Sequence, residues 1–551
     1  MDTFIVSFLI STFFIIFGCF NILNNNFINK KEIIKRFENH NKHSLYLILT
    51  ILILYFLTSF IPVSDLDSLR YHLEIPRLIK EGSFYKKYTF DYVTLGSNEF
   101  INLFGLNLNF ENSSSFLNVI FLIIITLINF ELQKNKKFWT NDIGTLIILS
   151  SPYVLSVTTS QKLYILPCFL VIYTIIYLSQ NNSKNCFNTH KLIALVLPFI
   201  LTIKFIFASL CFFVVIYQLY LIKNFKHKII ILLIYFFSLI IFILPILILK
   251  FRVFGEPFIP LFLLNEINNE WFNQIRNYLL NYESKLNFFN FLSLPVKLLI
   301  PLKFSHSEFY NFNFLNNIEL FATSELFKIL GIGILAVFFI YNQKIKTYLI
   351  LLILFLCILL IGNIQNRWFL PLLIYVGFYY NSKNNFEIIF SLLIFLQTYI
   401  IISILVVLSL LSIYGNFFNK DKILNLMSYG YEFNKQIENE YPNHKILSFN
   451  EGYYYQSDYV GLYKSKIALS FDKNYYKKRF KSKEQFIIIY PSKLKIKNWY
   501  PGGSDSIFDI IGLDKKDIRI NNVIKKSTYF SSRSFIFKKK ENRFIHIVEF
   551  L

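Results

Sequence analysis

One short stretch of the chain concentrates side chains that could carry out chemistry. Within eleven residues, Ser64 to Glu74 supply three carboxylates, an arginine, a tyrosine and a histidine, although the chain as a whole is 54% hydrophobic. An ionised carboxylate can take a proton from a hydroxyl group, and arginine or histidine can bind a phosphate. The stretch therefore favours proton transfer close to a bound anion.

The spacing within this stretch predicts a helix that begins near Asp67. Asp67, Tyr71 and Glu74 would then share one helix face, and the positive end of the helix dipole would keep the Asp67 carboxylate ionised. Asp65 completes an Asp-x-Asp pattern that could tune Asp67 or hold a divalent ion, although no metal or other cofactor is expected. Spacing alone leaves an alternative open, in which Asp67 only caps a surface helix.

The rest of the sequence is typical of a membrane protein. The chain has 551 residues and a mean hydropathy of +0.47, and its apolar runs approach the ~20 residues that cross a bilayer core. We therefore expect an α-helical polytopic membrane protein with about 12 transmembrane helices. The expected helices cover residues 4–22, 45–63, 116–132, 143–158, 163–179, 192–222 divided at Lys204, 229–249, 326–341, 347–362, 369–380 and 386–414.

The charges predict an orientation for these helices in the inner (plasma) membrane. Short loops that carry lysine should be cytoplasmic, so segments 63–115 and 250–325 should face the extracytoplasmic side. A lysine in mid-membrane is costly, which is why we expect a turn at Lys204. Flanking lysines also explain the net charge of +22, and since no recognition motif accompanies it, no nucleic-acid partner is expected.

Two parts of the chain differ in composition. Residues 1–415 should form the transmembrane domain, in which proline breaks within 250–325 favour short helices along the membrane surface. Residues 416–551 have no spanning run, and their pattern predicts a small C-terminal extracytoplasmic α/β domain. Its expected elements are a helix at 424–440 and strands at 445–449, 486–490, 534–537 and 544–550. The five cysteines indicate neither a disulfide framework nor a zinc site.

The stretch from Asp67 to Pro76, followed by Glu81-Gly82-Ser83, resembles the first external loop of bacterial GT-C membrane glycosyltransferases. These enzymes include the protein mannosyltransferases and the aminoarabinose transferases, related to glycosyltransferase family 39. Further similar segments follow in the family's order and extend the resemblance over residues 45–380. They are Ser97-Asn98-Glu99, Thr202-Ile203-Lys204, Gly255 to Pro260 and Gln365 to Pro371.

The resemblance implies an inverting transferase that moves a hexosyl or pentosyl group from a polyprenyl-phosphate-linked donor. The acceptor would be an envelope glycan, lipid or protein on the extracytoplasmic side, with membrane lipids around the enzyme. Asp67 would be the catalytic base, assisted by Asp65. The substrate-binding residues would be Arg70, Tyr71, His72, Glu74, Glu99, Lys162, Lys204 and Arg367.

Lys162, Lys204 and Arg367 would lie at external helix ends beside the lipid phosphate. The alternative for these cations is that they only reach toward lipid headgroups, and the alternative for Glu99 is a solvated loop charge. Ser68 stands where the mannosyltransferases have a second acidic residue, so their substrate class does not carry over to this chain.

Other envelope-polysaccharide machinery would share the helix count and the basic loops. A polymerase or ligase would carry its chemistry in a large late external loop, whereas the acidic cluster here comes early. A flippase would place more charge inside its helices. A transporter would be expected to have internal repeats, and the sequence has no visible repeat.

Overall fold

The computed structural model describes most of the helical part of the chain and parts of the C-terminal segment. The expected first helix, 4–22, lies outside the described residues. The described residues are 42–65, 68–80, 96–132, 138–180, 187–204, 207–254, 288–300, 303–304, 318–319, 329–340, 345–359, 366–380, 386–427, 439, 445–448, 486–491, 520–530 and 540–550.

The described part is mainly helical. A π-helical turn covers Ser68–His72, and 3₁₀ helices cover Ile332–Phe339 and Asn366–Phe369. The α-helices, in chain order, are α1 (Lys42–Thr58), α2 (Glu74–Lys80), α3 (Ser97–Asn107), α4 (Ser113–Leu132), α5 (Phe138–Leu149), α6 (Pro152–Thr158), α7 (Ile165–Gln180), α8 (Phe187–Ile203), α9 (Ala208–Leu221), α10 (Phe225–Phe254), α11 (Phe288–Leu299), α12 (Ile345–Leu359), α13 (Leu370–Tyr379), α14 (Phe386–Phe417) and α15 (Lys420–Met427).

Within the described residues, three helices are long and apolar enough to cross a membrane. They contain the segments Ser113–Phe130, Phe225–Arg252 and Ile388–Phe417, and five shorter apolar helices accompany them. The two longest, α10 and α14, expose large apolar side chains such as Phe237 and Tyr399. Extended apolar surface of this kind suits contact with lipid. The structure therefore agrees with a helical membrane protein.

Two helices form the centre of the bundle. In α7 residues 165–178 are all buried, and in α13 every residue from Leu370 to Phe378 is buried. Both are apolar on all sides, as expected for helices surrounded by other helices. Gly377 permits close packing against α5, because a Cβ there would lie 2.8 Å from the Gly144 carbonyl oxygen.

The expected helix 143–158 is wrong as a single span. The structure divides it into α5 and α6, because Ser151 has an extended backbone (φ −67°, ψ 125°) before Pro152. A residue that precedes proline is disfavoured in the helical region. Gln397 of α14 stabilises the break, since its Nε2 atom donates hydrogen bonds to the Ser150 carbonyl oxygen (2.9 Å) and hydroxyl (3.0 Å).

The turn expected at Lys204 is confirmed. Helix α8 ends at Ile203 and α9 begins at Ala208. The expected span 326–341 is wrong where it is described, because a 3₁₀ helix of eight residues occupies Ile332–Phe339. The break expected at Pro295 is also wrong, since this proline lies inside α11.

The described C-terminal residues contain four strands. They are β3 (Lys445–Ser448), β4 (Phe486–Pro491), β5 (Ile520–Phe530) and β6 (Lys540–Phe550), which form one sheet in the order β3-β4-β6-β5. β3 and β4 are parallel, whereas β6 runs antiparallel to both of its neighbours. A separate two-stranded ladder joins β1 (Lys303–Phe304) to β2 (Ile318–Glu319).

Three of the expected strands correspond to β3, β4 and β6, and β5 was not expected. The expected strand 534–537 lies outside the described residues. Of the expected helix 424–440, the structure describes residues 424–427, at the end of α15, and residue 439 as helical, and the others lie outside the described residues. The position of this sheet relative to the membrane stays a prediction.

Candidate active site

The acidic stretch begins with a cap that Asp65 supplies. Its Oδ2 atom accepts hydrogen bonds from the backbone N–H (3.0 Å) and the hydroxyl (2.9 Å) of Ser68. The Asp65 carbonyl oxygen accepts the N–H of Leu69 at 2.9 Å. The helix therefore starts at Ser68, and the capping residue in the structure is Asp65, whereas the sequence pattern assigned the helix start to Asp67.

Asp67 itself lies outside the described residues, so its expected role as base stays a prediction. The backbones of Arg70 and Tyr71 belong to the π-helical turn, and their side chains are likewise outside the description. Both oxygens of Glu74, expected to bind substrate, accept hydrogen bonds from Arg77, with Nε and Nη2 each at 2.9 Å. Both side chains are buried, and sequence analysis had passed over Arg77.

His72 and Glu99 form a buried pair between the π-helical turn and α3. The His72 Nδ1 atom lies 2.7 Å from Glu99 Oε1, and the two side chains are 1% and 2% exposed. The other carboxylate oxygen of Glu99 accepts the backbone N–H of Gly96 at 2.7 Å, which closes the start of α3. The alternative that Glu99 is a solvated loop charge is therefore wrong.

The start of α3 also packs closely on the Lys204 turn. A Cβ at Gly96 would overlap the carbonyl oxygen of Thr202, and the hydroxyls of Ser97 and Thr202 are hydrogen-bonded. These contacts bring together two of the segments that carry the family resemblance. The half-buried Lys204 follows directly, and its positive charge acts on both His72 and Glu99.

Burial and charge determine the ionisation of this pair. Burial lowers the pKa of His72, and the hydrogen bond and charge of Glu99 offset this only in part. Burial by itself would raise the pKa of Glu99, but the hydrogen bond from His72 and the charges of His72 and Lys204 outweigh it and hold that pKa below its ordinary value. At neutral pH the imidazole of His72 is thus neutral and the Glu99 carboxyl is ionised, and the Nδ1 atom that faces Glu99 also lies 2.7 Å from Asn98 Nδ2.

Amide side chains fix the loop at residues 159–164, between α6 and α7. The Asn118 side chain donates to the Lys162 carbonyl oxygen at 2.7 Å and accepts the N–H of Tyr164 at 3.1 Å. Asn98 accepts the N–H of Leu163 at 2.8 Å. Because each amide both donates and accepts, few of this buried loop's backbone groups are left without a partner.

The same loop joins the acidic stretch to α3. The backbone N–H of Gln161 donates to the Ser68 hydroxyl at 2.8 Å. Asn102 donates to the carbonyl oxygens of His72 (2.9 Å) and Gln161 (3.2 Å). Sequence analysis missed Asn98, Asn102, Asn118 and Gln161 as positioning residues, although four amides in otherwise apolar surroundings were a usable signal.

Lys162 reaches the acidic stretch directly. Its Nζ atom lies 3.3 Å from Asp65 Oδ2, and the two side chains are 23% and 14% exposed. Lys162 is therefore held at the edge of the site, where its ammonium faces both the carboxylate and the surface.

Arg367 lies beside this loop in the 3₁₀ helix Asn366–Phe369. Its carbonyl oxygen accepts the Tyr164 hydroxyl at 3.1 Å, and its guanidinium carbon lies 4.3 Å from the centre of the Trp368 ring. Among the residues that the structure describes, no carboxylate forms an ion pair with Arg367. Its charge is therefore available to an anionic ligand.

The site thus gathers His72, Glu99, Lys162, Lys204 and Arg367 around one loop. Its described charges are mainly positive, which suits a phosphate-bearing ligand. Comparison with protein-family models, with curated proteins and with solved structures finds no match for this chain.

Proposed function

We propose that the protein is an inverting membrane glycosyltransferase of the GT-C type. It transfers a sugar from a polyprenyl-phosphate donor to an envelope glycan, lipid or protein acceptor. The proposal includes the finer features that the sequence predicts: about 12 transmembrane helices, an extracytoplasmic site and a C-terminal α/β domain on the same side of an inner (plasma) membrane.

The observation that carries the proposal is the double attachment of the loop 159–164. On one side it contacts the acidic stretch, through the Lys162–Asp65 ion pair at 3.3 Å and the bond from Gln161 to Ser68. On the other side Tyr164 donates to the carbonyl oxygen of Arg367. A carboxylate-bearing segment and an arginine that no described carboxylate pairs with are thereby held next to each other. Glycosyl transfer from a phosphate needs both groups.

In the proposed reaction, Asp67 takes the proton of the acceptor hydroxyl. The hydroxyl oxygen forms a bond to the anomeric carbon of the sugar while the bond from that carbon to the phosphate oxygen breaks. The electron pair stays on the phosphate, whose growing negative charge Arg367 and Lys162 stabilise. The configuration at the anomeric carbon is inverted because attack and departure occur on opposite faces.

The surrounding residues hold the proposed catalytic and phosphate-binding groups in position. Asp65 begins the helical turn and holds Lys162. The buried pair of His72 and Glu99, with the amides of Asn98 and Asn102, fixes this turn against α3. A site preorganised by packing and hydrogen bonds needs little rearrangement when charge develops.

The proposal is tested by mass spectrometry of envelope glycans. Cells that carry the intact gene are compared with a deletion strain and with the deletion strain complemented by Asp67→Asn or by Glu111→Gln, a matched carboxylate-to-amide change outside the acidic stretch. We expect one sugar modification to be absent from the deletion and Asp67→Asn strains and present in the Glu111→Gln strain. Identical glycans in all strains, with all variants present in the membrane, would contradict the proposal.

A further inference from the structure

Three polar donors close to the loop 159–164 are without protein partners. The Nε atom of Arg367 and the Nε1 atom of Trp368 are buried and have no hydrogen-bond acceptor within the described part of the chain. The hydroxyl of Tyr153, a residue that is 7% exposed, forms no hydrogen bond to any described side chain or backbone group, but unlike the other two atoms it is not fully buried.

These donors belong to one aromatic cluster centred on Tyr164. The Tyr153 ring stands perpendicular to the Tyr164 ring at a centroid distance of 5.7 Å, and the Trp368 ring lies 6.0 Å from Tyr164. The guanidinium of Arg367 covers the Trp368 ring at 4.3 Å. Tyr164 itself is not a free donor, since its hydroxyl is bound to the Arg367 carbonyl oxygen.

Positive charge surrounds the same place. The charges of Lys162 and Arg367 both act on the Tyr153 hydroxyl. The nearest described carboxylates are already engaged, Asp65 by Lys162 and Glu99 by His72. The cluster therefore offers hydrogen-bond donors and positive charge, and neither of these two carboxylates is left to neutralise that charge.

A buried donor without an acceptor costs about 1–3 kcal/mol, and here two of them lie on adjacent residues, Arg367 and Trp368. An anion with several oxygen atoms can accept hydrogen bonds from more than one donor of such a cluster. Phosphate fits best, because an arginine donor favours planar recognition of its oxygens and neutral O–H and N–H donors can bind the remaining ones. A water molecule could satisfy one donor but would not use the positive charge.

We propose that Tyr153, Arg367 and Trp368 form an oxyanion pocket that binds the phosphate of a polyprenyl phosphate. The contacts are the hydroxyl of Tyr153, the Nε–H of Arg367 and the Nε1–H of Trp368. This assignment rests on the proposed function and adds Tyr153 and Trp368 to the residues that bind the donor. The pocket holds the leaving group before transfer and the free lipid phosphate after it.

The test measures ligand binding by the purified full chain in detergent micelles, from the rise in apparent melting temperature with ligand concentration. The probes are a polyprenyl monophosphate, the polyprenol of the same chain length, inorganic phosphate and phosphatidic acid. We expect a saturable rise with polyprenyl monophosphate and none with polyprenol. Phosphatidic acid and inorganic phosphate should act only at much higher concentrations, because neither matches both the chain and the phosphate.

Each of the two decisive variants removes one donor; Tyr153→Phe keeps the ring, and Trp368→Phe replaces the indole by a smaller aromatic ring. Tyr153→Phe and Trp368→Phe should each weaken binding of polyprenyl monophosphate roughly tenfold, since one hydrogen bond to a charged group is lost. The ligand-free melting temperature of Tyr153→Phe should be unchanged or higher, because the lost hydroxyl had no protein partner. The matched control is Tyr55→Phe, whose hydroxyl donates to the Leu149 carbonyl oxygen at 2.7 Å; it should lower the melting temperature and leave the affinity unchanged.

The outcomes separate this inference from the proposed function. Wild-type affinity in both Tyr153→Phe and Trp368→Phe would overturn the pocket, even if sugar transfer is observed. Equal responses to phosphatidic acid and polyprenyl monophosphate would also overturn it, by assigning the cluster to ordinary lipid headgroups. Tyr153-dependent binding of polyprenyl monophosphate without any change in envelope glycans would support the pocket and contradict the transferase.

Discussion

The Nδ1 atom of His72 lies 2.7 Å from the Oε1 atom of Glu99, although the two residues are 27 positions apart in the chain. This contact joins the acidic stretch to α3 in a buried environment. The turn that contains His72 is therefore not an exposed loop but a buried segment, which this contact and the side-chain amides of Asn98 and Asn102 hold against α3. We therefore expect substitutions in this pair to change both the free energy of unfolding and the rate of the proposed reaction.

The first prediction concerns Glu99. Glu99→Ala removes the partner of His72 and the acceptor of the Gly96 N–H. Because His72 is neutral, no unpaired charge is left, but two buried polar groups lose their partner and each such loss costs about 1–3 kcal/mol. Equilibrium unfolding in detergent micelles should show a loss of this size.

The matched control for this change is Glu111→Ala. Glu111 pairs with Lys420 at 3.7 Å, and the Glu111 and Lys420 side chains are 17% and 43% exposed. An ion pair with one exposed partner contributes about 1 kcal/mol or less, so the control should lose less stability than Glu99→Ala. Equal losses in the two variants would mean that the His72–Glu99 pair does not stabilise the fold.

The second prediction concerns pH. The folded pKa of His72 lies below its ordinary value of 6.5 because of burial. As pH falls below 6.5, the unfolded chain binds a proton at His72 that the folded chain does not, so the free energy of unfolding decreases. The Glu99 pKa is lowered from 4.5, and its contribution is present above 4.5 and lost only as pH falls further.

The measurement is the free energy of unfolding between pH 7.5 and 4.5 for wild type and His72→Gln. Between 6.5 and 4.5 the wild type should lose up to about 1.4 kcal/mol per pH unit more than the variant. Parallel profiles for the two proteins would show that His72 titrates equally in the folded and unfolded chains.

Part of this fold could be predicted from the sequence. The turn at Lys204 was predictable because a lysine inside a long apolar run has to reach a polar environment. The division between α5 and α6 could also have been inferred, since Ser150-Ser151-Pro152 interrupts the apolar run and proline restricts the residue before it. Hydropathy alone does not indicate this break, because the sequence is apolar both before Ser150 and after Pro152.

The site was harder to predict, because its residues depend on partners far away in the chain. In the sequence Glu99 stands in a polar segment and looks like an exposed loop carboxylate. Only the contact with His72 and the charge of Lys204 explain why it is buried and ionised. Asp65 and Asp67 are equivalent in a spacing argument, and the choice of Asp65 as cap follows from the observed position of Ser68. Tyr153 resembled any other interfacial tyrosine until its neighbours Lys162 and Arg367 were known.

The third prediction separates the two aspartates of the stretch. Asp65→Asn keeps a good capping group for Ser68 and loses only the charge opposite the partly exposed Lys162. It should therefore cost less than about 1 kcal/mol, whereas Asp65→Ala should cost about 1–2 kcal/mol by loss of the cap. Unfolding measurements in which the Asn variant is as unstable as the Ala variant would reject the capping role.

The fourth prediction concerns Arg367. If its guanidinium binds the leaving phosphate, Arg367→Ala should reduce transfer by roughly 10- to 150-fold, the equivalent of about 1.5–3 kcal/mol for a hydrogen bond to a charged group. Arg367→Lys should recover part of the rate, since it keeps the charge without the planar geometry. An Ala variant with the wild-type initial rate would remove Arg367 from the site.

The most direct test of the account is the turnover of Asp67→Asn in proteoliposomes. The assay follows the release of free polyprenyl phosphate by mass spectrometry, with lipids extracted from the native membrane as donor and acceptor. Asn cannot act as a base, and a positioned base contributes about 10²–10⁴-fold to the rate. Asp67→Asn should therefore release polyprenyl phosphate at least about 100 times more slowly than wild type. Asp65→Asn should keep most of the wild-type rate. Wild-type release by Asp67→Asn, or an inactive Asp65→Asn beside an active Asp67→Asn, would contradict the assignment of Asp67 as the catalytic base.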